Sequence, residues 1–110
     1  MATKTRSQMV DLTLQRLGVL AAGQNATAAD SALVGSVVDS IHDQLRKRGL
    51  APFATSAFPS WAQAPFAKIL AEEVAPYFGK QMPGRQDGER DLAEQMSAKV
   101  HPRPVEFKAY

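Results

Sequence analysis

Residues 16–50, RLGVLAAGQNATAADSALVGSVVDSIHDQLRKRGL, contain one helix end, a loop and one complete helix, and they decide the fold class. Thr27, followed three residues later by Asp30, resembles a capping box and predicts a helix start. Gly49 follows three basic residues and predicts the helix end. Between them, apolar residues recur with a helical period and form one stripe: Val34, Val37, Val38, Ile41 and Leu45. The pattern predicts an amphipathic helix over 28–48.

The residues before this helix predict a connector and an earlier helix. Gly18 is placed to stop a helix over about 6–17, and the apolar segment between Gly18 and a turn at Gly23 has to be buried. Val10, Leu14 and Leu17 form the core stripe of the first helix. Met9 and Leu12 lie on a second side, which we interpret as a subunit interface. The alternative is that both residues contact the connector.

A third helix is expected over 61–78, after an aperiodic loop that includes two prolines and two phenylalanines. Ser60 is its candidate cap, and the start moves to about Ala64 if Pro65 must fall in the first turn. Glu73 lies within the apolar stripe and therefore has to reach solvent or a cation. The stripe consists of Phe66, Ile69, Leu70, Val74 and Tyr77.

The last part of the chain predicts a fourth helix and an extended arm. Asp87 resembles the cap of a helix over 88–100, following a turn at 80–86, and its apolar side is narrow: Leu92, Met96 and Val100. Residues 101–110 begin as Pro-x-Pro and then alternate apolar and polar residues, which suits a strand added to another protein. A disordered terminus is the alternative. The predicted fold is all-α: a small four-helix bundle over 1–100 with an extended C-terminal tail.

Composition limits the classes of function. A chain of 110 residues without cysteine has no disulfide, no thiolate metal site and no cysteine nucleophile. We find no leader segment and no membrane-length apolar run, and so expect a soluble, unprocessed protein. A net charge of +2 is too small for a monomer to bind nucleic acid mainly by counterion release. A ring of many copies would multiply that charge.

No arrangement of residues predicts catalysis, a metal or a cofactor. Glu72 and Glu73 are neighbours, so on a helix they point about 100° apart and do not form an acid–base pair. His42 and His101 have no metal-ligand spacing, and we interpret both as surface residues. Arg46, Lys47 and Arg48 form the densest basic cluster, for which the simplest role is to stabilise a helix C-terminus. We therefore expect no enzyme.

Two motifs resemble the head-to-tail adaptor proteins of tailed bacteriophages, the group that includes the packaged-DNA stabilisation protein of short-tailed phages. The first combines LGVL at 17–20, AAG at 21–23, a short polar loop, Ala29-Asp30 opening a helix, and a basic end before Gly49-Leu50. The second is PSW at 59–61 leading into a helix that closes with APYFG at 75–79. Together they cover about 7–79. Asp39 and Leu45 depart from the family pattern, which usually has Asn and then an aromatic residue there.

The resemblance implies a virion protein that is made in the bacterial cytoplasm and functions at the head–tail interface. It implies a ring, by analogy of about twelve copies, under the portal protein, with a tail or nozzle protein below. In that ring the arm would bind the portal through Val105, Phe107 and Tyr110. Arg46, Lys47 and Arg48 would line the lumen and contact packaged double-stranded DNA without sequence specificity.

Two other classes of function remain open from the sequence. The first is a small helical regulator that binds nucleic acid through the basic cluster. The connection over 18–27 is longer than the tight turn of a helix-turn-helix, which counts against it. The second is a cell-wall hydrolase of the kind some virions carry, for which no plausible carboxylate pair is present. We favour the structural virion protein.

Overall fold

The regular structure of the described residues is helical, which confirms the all-α prediction. The structure, a computed structural model, describes residues 3–21 and 23–100, with side chains through residue 97. The helices are α1 (Arg6–Arg16), α2 (Ala28–Lys47), α3 (Ser60–Val74) and α4 (Arg85–Val100), with a 3₁₀ turn at Ala75–Phe78 after α3. The predicted arm at 101–110 lies outside the described residues.

The ends of α1 and α2 are determined by local sequence. Thr5 caps α1 in a reciprocal capping box with Gln8, and the Thr27 hydroxyl accepts a hydrogen bond from the backbone N–H of Asp30 at 3.2 Å. Gly18 and Gly49 follow the two helices with φ of 75° and 77°, a left-handed conformation that glycine adopts without a side-chain penalty. The predicted bounds of both helices are correct to within one residue.

Helix α3 is the centre of the bundle, because it packs against α1, α2 and α4. The predicted stripes of α1 and α2 meet it in one core, in which Val37 is only half-buried. The loop before α3 is attached to the start of the chain by an antiparallel bridge between Lys4 and Phe58. The largest fully buried side chains are Phe58, Phe66, Met9, Leu14, Ile41, Leu45, Ile69, Leu70 and Leu92. These elements build a single hydrophobic core with α3 in the middle.

The predicted start of α3 at Trp61 is correct to within one residue, whereas the predicted cap at Ser60 and the alternative start at about Ala64 were wrong. The helix begins at Ser60, and Pro59 occupies the cap position without a side-chain hydrogen bond. Pro65 therefore lies in the second turn rather than the first. A proline there lacks one backbone hydrogen bond, but it is buried against α4, where the absence of a side chain at Gly88 allows close packing. Tertiary packing offsets the local penalty.

The predicted burial of Tyr77 was also wrong: the side chain is 65% exposed. The chain tightens from α-helix to 3₁₀-helix at Ala75, next to Pro76. A 3₁₀-helix has three residues per turn, so the stripe that α3 carries does not continue on the same side. Gly79 then ends the turn with φ of 70°.

Candidate assembly surfaces

The structure separates the two residues assigned to a subunit interface. Helix α1 packs against both α2 and α3, so two of its sides are covered within the chain. Met9 is 0% exposed, and its assignment to a subunit interface is therefore corrected: it is a core residue. Leu12 is half-buried and lines a groove between α1 and α3. The groove is lined by Lys4, Leu12, Gln15, Arg16, Ser60, Gln63, Ala64 and Ala67.

The basic cluster lies at the exposed C-terminal end of α2, as predicted. Lys47 is paired with Asp43 at 3.1 Å, one turn earlier on the same helix. Arg48 donates from Nη2 to Glu89 Oε1 on α4 at 3.1 Å. Arg46 is exposed in the last turn of α2. Two of the three cations thus have a structural partner, and Arg48 also ties α2 to α4.

The start of α4 depends on a residue far away in the sequence. The predicted cap at Asp87 was wrong, because α4 begins at Arg85. Glu72 of α3 accepts hydrogen bonds at one carboxylate oxygen from the backbone N–H groups of Gly84 and Arg85, at 2.9 and 3.0 Å. These N–H groups have no partner within a helix at its first turn, so a carboxylate there satisfies them and meets the positive end of the helix.

The side chain of Arg85 donates hydrogen bonds to three other residues near this contact. Its guanidinium donates to Glu89 Oε2 at 2.8 Å, to Glu73 Oε1 at 3.0 Å and to Gln44 Oε1 at 3.1 Å. The expectation that Glu73 meets a cation is confirmed. We call Glu72, Arg85 and Glu89 the α4 clamp. The Arg85–Glu89 pair has the i,i+4 spacing that a sequence can show, but the role of Glu72 gave no local signal because its partners are twelve and thirteen residues away.

The α4 clamp lowers the pKa of two carboxylic acids. Backbone hydrogen bonds from Arg85 and Gly84 hold the pKa of Glu72 below its usual range. Partial burial would raise the pKa of Glu89, but hydrogen bonds from Arg48 and Arg85 outweigh it and lower the pKa overall. Both carboxylic acids therefore stay charged to lower pH in the folded protein, and their charged forms stabilise the fold.

Acid is expected to loosen α4. A carboxylic acid whose folded pKa is depressed stabilises the fold above its unfolded pKa, and this contribution is lost as the pH falls through the folded value. Stability should therefore decline as the pH drops below the ordinary value of 4.5. In E72Q, unfolding by urea should need less denaturant than wild type at neutral pH, and this difference should shrink in acid. E94Q, at an exposed position of α4, is the control, and a pH dependence equal in E72Q and wild type would contradict the assignment.

His42, like Met9, is buried although the sequence analysis placed it at the surface. It is 9% exposed, and its Nε2 is hydrogen-bonded to the backbone carbonyl of Phe53. Its ring lies 5.7 to 6.5 Å from the rings of Phe53, Phe58 and Phe66. The prediction of a surface histidine was wrong, because the loop before α3 folds over this flank of α2. His42 is part of an aromatic cluster in the core.

The described residues define a small helical-bundle protein in which four ion pairs join different helices. Within residues 3–21 and 23–100, no group of three or more metal-binding side chains is close enough to hold an ion. No described helix is both long and apolar enough to span a bilayer. Val105, Phe107 and Tyr110, assigned to portal binding, lie outside the described residues.

Comparisons with protein-family models, with curated proteins and with solved structures find no match to this chain.

Proposed function

We propose that this chain is a structural subunit of the virion of a tailed bacteriophage, a head-to-tail adaptor. Its copies form a ring of about twelve under the portal, close the DNA-filled head and provide the attachment for a tail or nozzle protein. The observation that carries the proposal is the resemblance of residues 7–79 to that family. The all-α bundle supports it, since the two motifs fall at the helix junctions that the resemblance implies.

The groove between α1 and α3 supports a contact between neighbouring subunits. Its lining combines the apolar residues Leu12, Ala64 and Ala67 with the basic residues Lys4 and Arg16. A ring subunit needs two different surfaces, because a heterologous contact repeats around the ring. In the proposal, Leu12 contributes to one of them.

The test of the proposal is assembly with the portal protein encoded by the same genome. Purified chain and portal rings are mixed, and the mass of the complex is measured by mass photometry. We expect a complex in which each portal ring carries about one copy of this chain per portal subunit. A chain that stays monomeric at every concentration in the presence of the portal would rule out the adaptor function.

Attachment is expected to depend on residues 101–110. Removal of this segment, which contains Val105, Phe107 and Tyr110, should abolish binding to the portal while the helical content and the unfolding midpoint stay close to wild type. Binding is measured by co-sedimentation with portal rings. The triple variant V105S/F107S/Y110S tests the anchors without shortening the chain. Portal binding that survives both changes would contradict the arm.

DNA contact is expected only in the assembled ring. Arg46, Lys47 and Arg48 of many copies would line the lumen, whereas one copy carries too little charge. In R46A/K47A, which leaves the Arg48–Glu89 pair intact, the affinity of the ring for duplex DNA at low salt should fall about tenfold and its salt dependence should flatten. K80A/R90A removes the same charge at two exposed positions outside the proposed subunit contact and is the control. Equal affinity of monomer and ring for DNA would contradict a lumenal role and favour a nucleic-acid-binding regulator.

A further inference from the structure

Helix α4 is attached differently from the other three helices. Helices α1, α2 and α3 all pack against one another, whereas α4 packs against α3 alone among the described helices. Its links to α2 are two side-chain contacts, Arg85 to Gln44 and Glu89 to Arg48. Leu92 is the one α4 residue with a described side chain that belongs to the hydrophobic core, so most of that core is formed by the other three helices and the loop before α3.

The contact between α4 and α3 is the most extensive between any two described helices, but it buries few α4 side chains. Among the α4 residues with described side chains, only Gly88 and Leu92 are buried. Gly88 allows close packing against Pro65 and Ile69, since a Cβ built there would lie 2.4 Å from the carbonyl oxygen of Pro65. The remaining attachment is the α4 clamp and an ion pair between Lys68 and Asp91 at 3.1 Å. Polar groups at a surface regain water when they separate, so such a contact opens more readily than an apolar one.

The segment that joins α3 to α4 is short and irregular, and its residue Met82 packs against the core. Gly79 ends the 3₁₀ turn in a left-handed conformation, and residues 80–84 form neither helix nor turn. Extended, these five residues span about 17 Å, which is more than the separation of two packed helices. The segment can therefore lead α4 either back onto its own α3 or onto an adjacent molecule.

We propose that the face of α3 around Pro65, Lys68 and Glu72 is an exchangeable docking site, which α4 of a second copy of this chain occupies in place of the chain's own α4. The exchanged contact uses the same residues as the contact within one chain, so no new complementary surface is needed. When each copy passes α4 to the next, the contact is heterologous, and such a contact forms a ring where the rotation between neighbours closes. Exchange does not depend on the adaptor function, and it is tested on the purified chain.

An engineered disulfide between α3 and the start of α4 shows whether the α4 that packs on α3 belongs to the same chain or to a second copy. A Cβ built at Gly84 lies 3.4 Å from the Cβ of Lys68, close to the separation found in disulfides, and the natural chain has no cysteine. A K68C chain and a G84C chain with different tags are mixed and oxidised, and the mixed disulfide is quantified on a non-reducing gel. A K68C chain mixed with A93C, which is exposed on α4, is the matched control. We expect about tenfold more mixed disulfide with G84C than with A93C, with a yield that rises with concentration. Equal yields would overturn the proposal.

A second measurement tests whether α4 opens at all. In the double variant K68C/G84C, hydrogen exchange of α4 amides should be much faster than that of α2 amides when the disulfide is reduced, and should slow when it is oxidised. Equal exchange of α4 and α2 in the reduced protein would show that α4 leaves only when the whole chain unfolds, and would also overturn the proposal.

The assembled ring separates this inference from the adaptor function. With portal rings present, the reduced double variant should assemble and the oxidised one should not. Assembly of the oxidised variant would refute exchange within the ring and leave the adaptor function standing. Failure of the wild-type chain to assemble would refute the adaptor function, while the mixed disulfide of the purified chains would still decide exchange between copies.

Discussion

Replacement of Phe66 by alanine is expected to lower the free energy of unfolding by about 3–5 kcal/mol. Phe66 is 0% exposed, and its ring centroid lies 4.9 Å from that of Phe58 in an edge-to-face arrangement. Truncation removes buried apolar surface and leaves a cavity in an interior that cannot collapse around it. The arrangement of the rings adds a further contribution of about 0.5–1.5 kcal/mol per pair.

Tyr77→Ala is the matched control for Phe66→Ala. Both changes remove an aromatic ring, but Tyr77 is 65% exposed, so its removal should change the free energy of unfolding by no more than about 0.5 kcal/mol. Urea denaturation at neutral pH measures both. A loss in F66A that is no larger than that in Y77A would mean that the aromatic cluster of His42, Phe53, Phe58 and Phe66 does not hold the loop over α2.

The second large effect is expected at Gly88. In Gly88→Ala the new methyl group would lie 2.4 Å from the carbonyl oxygen of Pro65 and 2.7 Å from Cγ1 of Ile69. The first neighbour is backbone and cannot rotate away, so α4 has to move off α3. We expect the free energy that holds α4 to fall by about 2–3 kcal/mol, even though alanine favours a helix over glycine by about 1 kcal/mol.

Gly84→Ala tests whether the loss at Gly88 is steric. Here the nearest atoms are the carbonyl oxygen and Cβ of Lys68 at 3.3 and 3.4 Å, a tight contact that a shift of a few tenths of an ångström relieves. The change in stability should therefore be under about 1 kcal/mol. Urea denaturation and hydrogen exchange of α4 measure both variants. Equal effects at Gly84 and Gly88 would contradict the close approach of the two helices at Gly88.

Long-range contacts explain where the sequence-based predictions of the fold failed. The start of α4 was placed at Asp87 because Asp is a good local cap, but the actual cap is the carboxylate of Glu72, twelve residues before Gly84. Met9 was assigned to a subunit interface because the periodicity of one helix does not show which element covers its second apolar side. A second helix packed against that side buries it.

The candidate sites show the same difference between features set by local sequence, which were predicted, and features set by long-range contacts, which were not. The exposed basic end of α2 was predicted, because charge at a helix terminus is visible in the sequence. The pairing of Arg48 with Glu89 was not, since the two residues are on different helices. Gly84 and Gly88, four residues apart, were the available signal that α4 approaches another helix closely, but a glycine pair does not identify its partner.

Local sequence was sufficient to predict the helix count, the cap at Thr27 and the stops at Gly18 and Gly49, because capping and left-handed glycine act within a few residues of the chain. Three other features follow from tertiary packing: Pro65 lies in the second turn of a helix, His42 is buried among aromatic rings, and Glu72 caps α4. Each of these depends on groups that are distant in sequence, and their packing and hydrogen bonds outweigh local preferences of about 1–3 kcal/mol.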